Sequence, residues 1–277
     1  MVYLNGRFVE IENATVSVLD RGFIFGDGVY EVIPVYSRKP FYLDAHLARL
    51  EHSLSEIRLT NPHGRAEWTN IIAAVIEKNP EQNQSIYLQV TRGVAKRDHA
   101  FPKDTPPTVF VMSNPGKPVP AEQIEHGIAC VTMPDNRWLR CHIKSTSLLS
   151  NVLLRQEAVE QDAIEALLLR DGMLSEGAAS NIYAVKNGVL LAPKKDHLIL
   201  PGITYDVLLE LAAAEKIPFE IRDISEAEVR NADELLLSSS GKEVLAITRL
   251  DNIAVGSGRP GPLFRKLYAI FQQKKAA

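Results

Sequence analysis

The stretch Arg137–Glu160, RWLRCHIKSTSLLSNVLLRQEAVE, decides how the rest of the chain is read. It holds Lys144, set between apolar Ile143 and three hydroxyl residues, Ser145, Thr146 and Ser147. Hydroxyl residues favour helix starts, because their oxygens accept amides that the first turn leaves unsatisfied. Leu148, Leu149, Val152, Leu153 and Val159 then recur at helical spacing, which predicts a helix with that face buried. Lys144 is thus predicted at the mouth of an apolar helix. Partial loss of water there disfavours the ammonium and leaves a nucleophilic amine. A lysine whose stem lies on apolar surface with its head in water is the alternative, and the stretch alone leaves both open.

The bulk numbers narrow the field. A chain of 277 residues suffices for one large domain or two ordinary ones. Hydrophobic residues make up 45% and charged residues 23%, the composition of a globular chain. A net charge of -3 gives no reason to expect nucleic acid or an anionic membrane as partner. The opening MVYLNGRFVE has no apolar signal region, and no run approaches a membrane span. Two cysteines, Cys130 and Cys141, make no disulfide framework, so a cytoplasmic setting with reduced thiols is expected.

On the N-terminal side of the lysine, Val2–Leu4 and Arg7–Ile11 flank an Asn5-Gly6 hairpin turn. Leu19–Glu31 reads as a shaped loop, with Gly22, Gly26 and Gly28 among aromatic residues. Val29–Tyr36 and Phe41–Leu43 read as strands, the first at a sheet edge or bulge because Pro34 lacks a donor. Asp44 is expected to cap a helix with Leu47, Leu50, Leu54 and Ile57 inward, which turns Arg49 toward solvent. A second helix is predicted near Ala66–Lys78, and strands at Ser85–Thr91 and Thr108–Ser113. The loop between those strands holds Arg92, Arg97 and His99.

Three prolines and a glycine in Asn114–Ala121 mark a linker. The domains expected are therefore 1–113, an N-terminal α/β domain, and 122–277, a larger C-terminal one, joined by 114–121. In the second, Asp171-Gly172 and Asn187-Gly188 predict hairpins, a helix opens after Pro201-Gly202 with Thr204 as cap, and Glu234–Leu237 is a buried strand. The last helix starts near Pro262.

Several groups could carry chemistry. Gly202-Ile203-Thr204 offers free amides at a helix start, and Ser238–Gly241 offers turn amides and hydroxyls; each suits a phosphate and each suits ordinary capping. Glu176 beside Gly177 either faces a flat ligand or is a hairpin-end surface charge. Arg97 and His99 either bind a carboxylate or pair locally with Asp98. Gly256–Gly261, GSGRPG, has the spelling of a dinucleotide loop but carries a proline, opens no βαβ unit and stands too near the end of the chain. The cysteines and histidines lack metal-ligand spacing.

Taken in order, Asp20–Glu31 (DRGFIFGDGVYE), His46–Leu50 (HLARL), Gln89–Gly93 (QVTRG), Ile143–Ser145 (IKS), Glu176–Asn181 (EGAASN), Leu200–Thr204 (LPGIT) and Ser238–Ser240 (SSS) resemble a known family. It is that of the fold type IV pyridoxal-phosphate enzymes: D-amino-acid transaminases, branched-chain transaminases and aminodeoxychorismate lyases. Arg97–Phe101 (RDHAF) resembles the D-amino-acid branch most.

The resemblance implies an α+β fold with a smaller N-terminal α/β domain. The larger C-terminal domain is then a pseudo-barrel of strands surrounded by helices. Lys144 matches the lysine that tethers pyridoxal 5'-phosphate and then moves the substrate proton. Glu176 matches the carboxylate facing the pyridine nitrogen, which keeps that nitrogen protonated and the ring an electron sink. Arg49, Ile203 through its amide, Thr204, Ser239 and Ser240 match the phosphate shell, and Leu200 packs on the ring. Tyr30, Arg97 and His99 match the trap for the substrate α-carboxylate. In the family the last two come from a neighbouring subunit, which implies a homodimer. The expected reaction moves an amino group between D-amino acids, such as D-alanine or D-glutamate, and 2-oxo acids, such as 2-oxoglutarate or pyruvate. A branched-chain or R-selective amine transaminase and an aminodeoxychorismate lyase are the alternatives. Ala178, Ala179, Gly241 and His142 depart from the D-amino-acid pattern, the two alanines removing hydroxyls from the cofactor pocket.

Overall fold

A computed structural model describes residues 1–276. The chain divides into two compact units, Met1–Lys117 with Ile143–Leu148, and Pro118–His142 with Leu149 onward. The lysine segment, expected in the C-terminal domain, is compact with the first unit.

The first unit opens on β1 (Val2–Leu4) and β2 (Arg7–Val9). Their turn has φ 46° at Asn5 and 88° at Gly6, the left-handed pair that a two-residue hairpin requires. The glycine-rich loop contains a short helix, α1 (Arg21–Phe25), capped by the Asp20 carboxylate, which accepts the Gly22 amide. β3 (Gly28–Tyr36), β4 (Lys39–Pro40), α2 (Leu43–Glu56), α3 (Arg65–Glu77), β5 (Gln84–Thr91) and β6 (Thr108–Pro115) follow. The strands form one antiparallel sheet in the order β2-β1-β6-β5-β3-β4. β5 alternates buried Ile86, Leu88 and Val90 with half-buried neighbours, the period of a sheet covered on one face. That face meets Leu47, Leu50 and Leu54 of α2 and Trp68, Ile72 and Val75 of α3 in one core. Pro34 sits where β3 is nearly an edge, since β4 pairs with it only at Val35 and Tyr36.

Two local expectations fail here. Phe41–Leu43 is no strand: Tyr42 takes φ 51° and α2 starts at once, so Asp44 lies inside the first turn instead of capping it. Arg49 is buried, not solvated, because a buried carboxylate on β3 faces it.

The second unit contains α4 (Ala121–His126), β7 (Ile128–Pro134), α5 (Leu149–Glu160), β8 (Glu165–Arg170), β9 (Met173–Gly177), β10 (Asn181–Lys186) and β11 (Val189–Ala192). α6 (Ile203–Ala214), β12 (Phe219–Ile221), α7 (Glu226–Arg230), β13 (Glu234–Ser239), β14 (Glu243–Leu250), β15 (Ile253–Ala254) and α8 (Pro262–Ala276) complete it. Its nine strands form a mixed sheet, β12-β11-β10-β13-β14-β7-β8-β9 with β15 beside β14. β10 and β13 are buried almost end to end, and their continuous apolar runs follow from cover on both faces.

The helix after the lysine departs from its expected form twice. It starts at Leu149, because the hydroxyl residues pair with β3: Ser145 bridges Val29, and the Thr146 amide donates to the Gly28 carbonyl. Its buried residues are Leu154 and Ala158, packed with Val131, Met133 and Leu168. The predicted inner face is the outer one, with Leu149 74%, Val152 59%, Leu153 54% and Val159 47% exposed. Periodicity identifies an apolar face but not what covers it.

Candidate active site

In the first unit the site is built on the start of β3. The Tyr30 amide donates to the Lys144 carbonyl at 3.0 Å. The Lys144 amide donates to Ser53 Oγ, one turn beyond Arg49 on α2, at 3.2 Å. This fixes the lysine backbone between a strand and a helix, with Nζ 4.3 Å from the centre of the Tyr30 ring. Tyr30 stacks in turn on Tyr87 of β5, at 5.7 Å between centroids. Extended backbone, not a helix mouth, presents the amine.

The next residue, Glu31, is fully buried. Its carboxylate accepts Arg49 Nε at 2.7 Å and Nη2 at 2.8 Å, and pairs with His46 Nδ1 at 2.8 Å. Burial alone would raise this carboxyl; the Arg49 guanidinium outweighs it and holds it far below the ordinary range. Burial pushes His46 down, with Glu31 opposing, so the imidazole is neutral near pH 7 and Nδ1 carries the hydrogen toward the carboxylate. Arg49 is thereby set in a fixed orientation.

Arg97 and His99 lie on the exposed loop after β5. Both rest on Phe25 of α1: the Arg97 guanidinium is 5.2 Å from the ring centre and His99 is 5.4 Å away. Asp98 Oδ1 accepts the Ala100 amide.

In the second unit Glu176 ends β9 buried, which discards the surface-charge reading. Arg137 Nη1 donates to its Oε1 at 2.5 Å, while Asn181 Nδ2 and the Leu200 amide donate to Oε2 at 3.2 Å and 3.1 Å. Arg137 is also held bidentate by Asp135, which accepts Ser175 Oγ and pairs with Arg170. Burial raises Glu176 to about 7, against the pull of Arg137. Asn181 also donates to the Leu200 carbonyl at 3.0 Å.

A Cβ on Gly202 would collide with Asn181 Oδ1, so a larger residue there would displace the Asn181 amide from Glu176 and Leu200. Gly202, not Thr204, is the N-cap and supplies no side-chain oxygen; Ile203 and Thr204 are buried in the first turn. Across the sheet Asn181 pairs with Ser238, whose Oγ meets the Tyr183 hydroxyl at 2.8 Å; Ser239 ends β13 and Ser240 opens the turn. Ser239 Oγ accepts the Lys242 amide. Asn181 thus contacts Glu176 and Leu200, lies against Gly202 at the start of α6 and pairs with Ser238 of β13.

Sequence reasoning did not single out Glu31, which holds Arg49, nor Arg137 and Asn181, which donate to Glu176, nor Asp135, which holds Arg137. A charge inside an apolar strand, as in Val29–Ile33, was the available signal for Glu31. The others lie among loops and turns, where polar residues are unremarkable.

Comparison with known proteins identifies the family. Residues 28–250 match the family model for amino-transferase class IV. D-alanine aminotransferase of Bacillus licheniformis is 39% identical over 98% of this chain and 95% of its own. That of Staphylococcus haemolyticus is 39% identical over 98% and 96%. Among solved structures, the Escherichia coli branched-chain amino acid aminotransferase superposes with a TM-score of 0.92 at 28% identity, covering 98% of this chain and 93% of that one. The fold IV-transaminase of Curtobacterium pusillum gives 0.83 at 26%, covering 95% and 92%. A further branched-chain amino acid aminotransferase, solved with pyridoxamine 5'-phosphate, gives 0.91 at 26%, covering 98% and 92%. The two-unit α+β architecture is that of fold type IV, and the chain belongs to the class IV aminotransferases.

Proposed function

We propose that the protein is a pyridoxal-phosphate-dependent D-amino-acid transaminase. Likeness to D-alanine aminotransferases over nearly the whole chain carries this reading. The residues fit the cofactor. Glu176 is a buried acceptor whose proton affinity, raised to about 7, suits sharing a proton with a pyridine nitrogen. The N-terminus of α6 has no side-chain cap, which suits a phosphate dianion. Bound there, the cofactor supplies an electron sink for the pair released when a substrate Cα–H bond breaks.

The chain's own residues do the rest. Lys144 provides the tethering amine and carries the proton to and from the substrate Cα. Tyr30 lies against Lys144 and, with Arg97 and His99, receives the substrate carboxylate. Arg49, the Ile203 amide, Thr204, Ser239 and Ser240 would hold the cofactor phosphate, and Leu200 would offer an apolar surface to its ring. Glu176, oriented by Arg137 and Asn181, keeps the ring nitrogen protonated. A D-amino acid leaves as a 2-oxo acid, and a second 2-oxo acid, 2-oxoglutarate or pyruvate, takes the amino group. With the carboxylate held by Arg97 and His99, the D-enantiomer turns its Cα–H to Lys144.

A homodimer belongs to the same reading. The outward apolar face of α5, the exposed Phe23 and Val18, and a carboxylate-binding pair pointing to solvent all suit a second copy. A reducing cytoplasmic setting suits the two buried free thiols.

Borohydride reduction followed by digestion should leave the pyridoxyl mass on the peptide bearing Lys144, and Lys144→Ala should lower turnover of D-alanine by roughly 10³-fold or more. Transamination of L-leucine without that of D-alanine or D-glutamate would overturn the assignment in favour of the branched-chain reading. Light scattering should give twice the chain mass, and Leu153→Glu should yield monomer with reduced activity.

A further inference from the structure

The loop after β5 has few contacts of its own, among them the Ala100 amide on Asp98 Oδ1 and the Arg92 guanidinium 3.7 Å from the Phe101 ring centre. Segment 19–27 grips it. The Arg21 amide donates to the Gly93 carbonyl, the Ala95 amide to Leu19, and Asp20 bridges Val94. The Arg21 side chain is buried and crosses under the loop. Its Nη1 donates to the Asp98 carbonyl at 2.5 Å and to the Ala100 carbonyl at 3.3 Å, on either side of His99. Its Nε donates to Asp27 at 2.8 Å, and Arg92 donates to both oxygens of the same carboxylate. Burial would raise the Asp27 carboxyl, but Arg92 and Arg21 together bring it below its ordinary value, so the anchor stays charged. The Phe25 ring is approached by three side chains: the Arg21 guanidinium at 4.8 Å, the Arg97 guanidinium at 5.2 Å and the His99 ring at 5.4 Å.

We infer that Arg21 and Phe25 are positioning residues for the substrate carboxylate, Arg21 through the loop backbone and Phe25 as the platform on which Arg97 and His99 lie. An exposed arginine left to itself samples many rotamers, and ordering it on binding weakens affinity. A ring face under the guanidinium removes part of that loss before substrate arrives. Backbone carbonyls held at Asp98 and Ala100 fix where His99 leaves the chain. The inference rests on Arg97 and His99 receiving the carboxylate.

The test uses the cofactor-loaded enzyme and four variants: Phe25→Leu, Phe25→Tyr, Arg21→Lys and Arg97→Ala. Steady-state constants for D-alanine are measured with the inhibition constant of propionate, which keeps the carboxylate and lacks the amine, and with the thermal midpoint. Phe25→Leu should raise the KM and the propionate constant together by roughly 3- to 10-fold, with kcat within about twofold, as loss of a cation–π platform requires. Phe25→Tyr keeps the ring and should match the parent. Arg21→Lys keeps the charge without the fork and should move both constants the same way. A fall in kcat without a change in the propionate constant overturns the inference, as do unchanged constants in both Phe25→Leu and Arg21→Lys. Arg97→Ala separates the two claims: if it leaves both constants unchanged, the carboxylate assignment itself falls.

Discussion

Two buried glutamates, one in each unit, are driven in opposite directions. Glu31 is 0% exposed and Glu176 is 5% exposed, so burial works against the charge of both. Glu31 meets Nε and Nη2 of Arg49 together with His46, and its carboxyl falls far below the ordinary range. Glu176 meets one Nη of Arg137, whose Nε and other Nη are committed to Asp135, and its carboxyl rises to about 7. The charges beside them, not burial, separate them: two contacts from Arg49 with His46 lower Glu31, whereas Glu176 has one contact from Arg137 and the Asp135 anion nearby. A fully neutralised carboxylate is a fixed strut. One left near its protonation point can share a proton with a ligand, which suits the residue assigned to a ring nitrogen.

The largest effect should come from removing the strut's partner. Arg49→Met leaves Glu31 buried without its guanidinium and should cost about 3–5 kcal/mol in urea unfolding. Arg137→Met should cost less, because Glu176 takes up a proton and Asp135 keeps Arg170 and Ser175. Equal losses would break the comparison.

A pH profile tests the sign. The folded value of Glu176 is about 7 against an ordinary 4.5, so between those limits the native protein keeps a proton that the unfolded chain has released. Stability of the cofactor-free protein should therefore fall as pH rises from 4.5 to 7, by about 3 kcal/mol. Glu31 has the opposite sign: its contribution is present above the ordinary carboxyl value and is lost only as pH falls toward its depressed folded one. Glu176→Gln should flatten the first slope and leave the acid side unchanged. Loading the cofactor should shrink the same slope, since a cationic ring nitrogen facing Glu176 favours its charged form.

Neither environment was legible from local sequence, whereas much of the fold was. The Asn5-Gly6, Asp171-Gly172 and Asn187-Gly188 hairpins follow from turn chemistry written in two adjacent residues. The inward Leu47, Leu50 and Leu54 of α2 followed from period alone. The same period misplaced Arg49 and the face of α5, because it is silent on which strand charge meets a helix and on what covers an apolar face. Motif order singled out Glu176 as a candidate, but Arg137 stands 39 residues from it in the chain, and pairings at such range leave no local trace. Asn181 was in view within Glu176–Asn181, yet its role depends on Leu200 and Gly202, brought near only by the sheet.

Asn181 gives the finest division between the two carboxylates. Asn181→Ala removes its bonds to Glu176 Oε2 and to the Leu200 carbonyl, while the Leu200 amide still donates to that oxygen. The loss should be about 1–2 kcal/mol, small beside Arg49→Met. Its informative consequence is a displacement in pH. Asn181 donates to the charged form, so its removal should carry the upper end of the Glu176 slope above pH 7. In the first unit His46→Phe likewise removes one donor to Glu31 at similar cost. There Arg49 remains on both oxygens, so the titration of Glu31 stays on the acid side and the neutral-pH profile keeps its shape. A neutral-pH displacement in the His46 variant as large as in the Asn181 variant would mean that the charges beside the two carboxylates do not set the difference.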